Sequence, residues 1–74
     1  MHTLETLIDN ATKIVGTQAA LARTLGAQPS HVSEWRNGRR PCPDKTVVAM
    51  ARMIPGDTRA IVASVYLARL GKLA

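Results

Sequence analysis

The sequence predicts an all-α domain of five helices, and three observations carry that reading. Apolar residues recur at three- and four-residue spacing in each candidate segment. The strict alternation of a half-buried strand is missing throughout. Glycine and proline breaks at Gly16, Gly26, Asn37-Gly38, Pro41 to Pro43 and Pro55-Gly56 divide the chain into five helix-sized lengths. Its 74 residues make one small domain, 1–74, without internal repeats, low-complexity tracts or a long linker.

The first helix is predicted over 3–15. Leu4, Leu7, Ile8, Ala11, Ile14 and Val15 share helical spacing, Thr3 caps the start, and Glu5 lies near the positive end of the dipole. Gly16 ends it and Thr17 caps the next. That second helix carries Leu21 and Leu25 in one stripe, with Ala22 small enough to let a neighbouring helix pack close. Gly26 stops it, because glycine accepts positive φ without a Cβ clash. Pro29 fits the first turn of the third helix, where a missing N–H costs nothing. Val32 and Trp35 share one face of that helix, and Ser30, Ser33, Glu34 and Asn37 fall on the opposite face. Asn37-Gly38 stops it by left-handed geometry. A basic loop, 39–43, follows. The fourth helix is predicted over 44–54 through Val47, Val48, Ala51 and Ile54. Asp57 caps a fifth that runs to about Leu70.

The second and third helices with their tight turn form a helix-turn-helix, a motif that places a short polar face in the DNA major groove. Here the stretch resembles the Cro/CI-type repressors of phages and prophages. The residues that carry the resemblance are Gln18, Ala22, Gly26, Val32, Ser33, Trp35 and Gly38, and Arg39 to Pro43 is similar to the basic exit of small prophage-encoded members. The likeness covers 16–53 well and the last third poorly. It implies a compact lambda-repressor-like domain. One departure removes any carried-over base preference: where family members often begin the recognition helix with Gln, this chain has Pro29 and Ser30.

Charge points the same way. The formal net charge is +5, the sequence pI is about 10.4, and Arg36, Arg39, Arg40 and Lys45 cluster beside the motif. A basic domain of this size suits a polyanion, here double-stranded DNA. Ser30, Ser33 and Glu34 are the candidate base readers; a carboxylate accepts from the cytosine amino group, whereas a hydroxyl discriminates weakly. Gln18, Gln28, His31, Arg36, Asn37, Arg39 and Arg40 are the candidate phosphate contacts. Gln18 and the 37–40 exit take that role from the resemblance as well. Gln28 alternatively caps the third helix, and His31 alternatively is an exposed surface histidine. Trp35 is expected in the core because it shares its face with Val32, and a single-strand platform would need several aromatics.

Other chemistry is poorly supplied. Cys42 is the only cysteine, so an internal disulfide or cysteine-based zinc site is excluded. His2 and His31 lack metal-ligand spacing. No phosphate loop, nucleophile–base pair or cofactor motif is present, so no catalytic residue, cofactor or metal is expected. The lone thiol and the lack of a signal-peptide pattern or membrane-length apolar run suggest a bacterial cytoplasmic protein, nucleoid-associated when bound. The fifth helix carries Ile61, Val65 and Ala68, a flanking Val62, Tyr66 and Leu70, and also Leu67. That stripe is wider than one small core needs, so Val62, Tyr66 and Leu70 are the candidate homodimer contacts. The expected function is a transcriptional regulator of repressor or Cro-like type. The alternatives are an excision or DNA-bending factor for a recombinase and an antitoxin-like regulator with a protein partner.

Overall fold

The structure, a computed structural model, describes residues 2–73. Five helices follow in order: α1 (Leu4–Val15), α2 (Gln18–Leu25), α3 (Pro29–Arg36), α4 (Asp44–Met53) and α5 (Thr58–Leu73). Among the described residues there is no strand, and the all-α class stands.

Each boundary has a local cause. Thr3 caps α1 reciprocally with Thr6: the Thr6 N–H donates to Thr3 Oγ1, and the Thr3 N–H donates to Thr6 Oγ1. This is a capping box with threonine in the place usually held by Glu or Gln. Thr17 Oγ1 accepts the Ala20 N–H at the start of α2. α4 stops at Met53 rather than at 54, because Ile54 precedes Pro55 and is driven into extended backbone (ψ 152°). The Asp57 carboxylate accepts the Arg59 N–H at 2.9 Å and opens α5. α5 continues past 70 to Leu73, since Gly71 keeps helical geometry and is not among the positive-φ glycines.

The core collects one face from every helix. Leu7, Ile8 and Ala11 of α1 meet Leu21 and Ala22 of α2, Val32 and Trp35 of α3, Val47, Met50 and Ala51 of α4, and Ile61 and Val65 of α5. Each of the larger side chains contributes about 1.5–3 kcal/mol by leaving water. Ile14, expected in the α1 stripe, instead lies half-exposed at the lip of a shallow recess with Asn10, Ile54 and Pro55. Cys42 is the unexpected core member, only 3% exposed, and burial pushes its thiol up to about 11. The segment before α1 is tied down at long range: the His2 N–H donates to Ser64 Oγ at 2.8 Å, and the Ser64 hydroxyl donates back to the His2 carbonyl.

Candidate nucleic-acid interface

The turn between α2 and α3 is built by a pair of reversing hydrogen bonds. The Ala27 N–H donates to the Ala22 carbonyl at 2.8 Å and the Gly26 N–H to the Arg23 carbonyl at 3.2 Å, with Gly26 left-handed at φ 67°. This Schellman closure favours glycine, which takes the left-handed conformation without strain. The same device ends α3. The Arg39 N–H donates to the Glu34 carbonyl at 2.9 Å and the Gly38 N–H to the Trp35 carbonyl at 3.3 Å. Gly38 alone takes the left-handed conformation (φ 75°); Asn37, expected to share it, stays at φ −90°.

α3 is thereby held with two opposed faces. Val32 and Trp35 point into the core. Ser30, Ser33 and Asn37 are exposed, and Glu34 flanks them half-buried. Among the described residues neither serine hydroxyl has a hydrogen-bond partner, so both are presented to solvent. Gln28 stands at the N-cap position but makes no side-chain cap bond; its carbonyl accepts the His31 N–H instead, leaving its carboxamide outward. His31 is half-buried, with its ring 6.5 Å from that of Trp35. Gln18 is the first residue of α2 and half-buried. Trp35 is 5% exposed, as expected of a core aromatic, and its indole N–H is buried with no partner among the described residues.

The arginines at the end of α3 separate into three environments. Sequence reasoning places Arg36 on a phosphate. The structure instead lays its guanidinium against α1, with Nε 2.8 Å from Asp9 Oδ1, Nη2 3.2 Å from Asp9 Oδ2, and Nη2 3.4 Å from Glu5 Oε1. The reason is register. Arg36 lies at the border of the core face, beside the acidic side of α1, and a carboxylate there forms a two-pronged pair. The hydrogen bond from Arg36 holds the Asp9 carboxyl below its ordinary range. Arg40 reaches back to Glu34, Nε to Oε2 at 2.7 Å, and holds that carboxyl below its ordinary range too. Arg39 is exposed and without an ion-pair partner among the described residues.

Every aspartate and glutamate side chain is engaged internally. Glu5 and Asp9 face Arg36, Glu34 faces Arg40, Asp44 accepts the Tyr66 hydroxyl, and Asp57 caps α5. The Asp57 cap is local, but the pairs of Arg36 with Glu5 and Asp9 and of Tyr66 with Asp44 join residues far apart in sequence, and no local spacing announces them. The residues expected at a dimer contact are unequally free. Val62 packs partly on the core, and Tyr66 is bound to Asp44 with Arg69 over its ring. Leu70 and its neighbour Leu67 are each 61% exposed. Among the described residues no helix is long and apolar enough to cross a membrane, and no cluster could hold a metal ion.

Fold and face together define a small all-α protein of helix-turn-helix type. The chain belongs to the bacterial toxin YdaS family, whose sequence model matches residues 8–60. That span takes in most of α1, the helix-turn-helix, the basic loop, α4 and the start of α5. It supports a small bacterial protein of prophage type. No curated protein and no solved structure gives a significant match. The likeness to Cro/CI-type repressors thus holds at the level of a prophage-type helix-turn-helix, while the matching family is a different one. Positions such as Ala22, Gly26, Val32 and Trp35 serve the turn and the core, and those demands do not separate one helix-turn-helix family from another.

Proposed function

We propose that this protein is a sequence-specific regulator that binds double-stranded DNA without catalysing a reaction on it. α3 enters the major groove, with Ser30, Ser33 and Glu34 toward base edges. Gln18, Gln28, Asn37, Arg39 and Arg40 lie along the phosphates, and His31 sits at the rim. The observation that carries this reading is the outward face of α3. It is polar, its serine hydroxyls are unpartnered, and it is bordered by exposed arginine in a chain whose acids are all turned to internal partners. Arg36 is assigned to holding α3 against α1, and it reaches DNA only through that placement.

One recognition helix reads few base pairs, so two copies acting together suit a palindromic site, with their helices about 34–36 Å apart. Leu70 and Leu67 supply the exposed apolar surface for such a pairing, with Val62 and Tyr66 at its edge. The test is selection of bound duplexes from a random pool, followed by footprinting and sedimentation with and without the selected site. A short two-fold symmetric footprint bound by two copies is the expected result. Recovery of no consensus removes sequence-specific reading. A monomer both free and on a full site removes the pairing.

A further inference from the structure

Glu34 and Arg40 both belong to the DNA-reading face, yet in the free protein they satisfy each other. The contact is no accident of flexible side chains. The left-handed turn at Gly38 and the bond from the Arg39 N–H to the Glu34 carbonyl fold the exit loop back along α3. That fold brings the Arg40 guanidinium to 2.7 Å from Glu34 Oε2, six residues earlier. Side-chain exposures of 45% for Arg40 and 38% for Glu34 leave the pair open to an incoming group.

Resting on the DNA-binding reading above, we propose that the Glu34–Arg40 pair is a specificity gate: a DNA phosphate takes Arg40 from Glu34, and the released carboxylate is accommodated only where a base amino group meets it. A phosphate accepts the planar guanidinium in the same forked manner as a carboxylate. Glu34 then faces the DNA with no internal cation of equal reach. Its other cationic neighbour, Arg39, acts on it only through space. In the major groove only the cytosine and adenine amino groups offer it a donor. Opposite any other base edge it stays unpaired among phosphates and is repelled. Glu34 therefore weakens binding to wrong sequences more than it strengthens binding to right ones, and Arg40 links that penalty to backbone contact.

The experiment is a double-mutant cycle on two duplexes, one of arbitrary sequence and one selected by the protein. Wild type, Glu34→Gln, Arg40→Gln and the double variant are compared by fluorescence anisotropy at fixed salt, with helicity checked by circular dichroism. The gate predicts that Glu34→Gln tightens binding to the arbitrary duplex and narrows the ratio between the two duplexes. It also predicts that the gain is about two- to fivefold larger with Arg40 present than with Arg40→Gln, the size of one exposed ion pair released on binding. An equal gain in both backgrounds means the pair does not open on DNA and overturns the gate while leaving DNA binding intact. Wild type that binds neither duplex overturns the DNA reading and the gate with it.

Discussion

Arg36 lays its guanidinium along the carboxylate of Asp9, two nitrogens against two oxygens at 2.8 and 3.2 Å. The pair fastens the last turn of α3 to α1, across 27 positions of sequence. Its position makes it a determinant of how α3 is held rather than of what α3 reads.

Acid stability tests that contact. The folded-state pKa of Asp9 lies below its unfolded value. Its contribution is therefore complete above the unfolded carboxylate pKa and is lost as pH falls through the folded value. Asp9→Asn should lower stability at neutral pH by about 1 kcal/mol or less, because the pair is partly solvent-screened. Thermal melts of the two proteins should converge in acid. A gap that persists unchanged below the folded-state pKa would assign the loss to something other than the charge.

Arg39 has no ion-pair partner to exchange among the described residues, so on the proposed DNA-binding reading its effect should be simple. Arg39→Ala should weaken binding to selected and arbitrary duplexes alike, and reduce the log–log salt slope by about one unit. Titrations at several salt concentrations measure this, and an unaltered slope removes Arg39 from the phosphate contacts.

Gly26 offers a clean backbone test. It holds φ 67°, and a methyl group there meets nothing within 4 Å. Gly26→Ala should therefore cost only the left-handed strain, about 1–2 kcal/mol. Urea unfolding should shift its midpoint with the slope preserved. A loss several times larger would mean that the turn between α2 and α3 has rearranged.

Cys42 should be a slow thiol. Burial and a pKa raised to about 11 leave little thiolate at the surface. Alkylation of the native protein should follow its unfolding, accelerating as urea approaches the midpoint. Prompt labelling in buffer would show that the 41–43 segment opens locally.

The helices were legible because each start and stop has a local cause. Thr3, Thr17, Gly26, Pro29 and Asp57 act on backbone groups within four residues of themselves. The polar face of α3 follows from the same short-range periodicity. The partners of Arg36 and Arg40 were not legible in this way. Nothing local distinguishes an arginine that will meet Asp9 from one left exposed, and the choice is made when α1 packs against α3. Ile14 and Cys42 fail for a related reason. Periodicity gives the side of a helix, whereas depth depends on what the rest of the chain lays over it.

The internal engagement of all five acidic side chains reaches beyond the structure of one molecule. Neutralising Asp9 or Glu34 makes the protein more cationic and, in the same stroke, opens an ion pair between distant parts of the chain or along α3. General attraction to polyanions and persistence of the fold are thus inherited as linked traits at these positions. Exposed cations such as Arg23, Lys45 and Arg52 carry no such link, and a change there alters the net charge while the helices stay where they are.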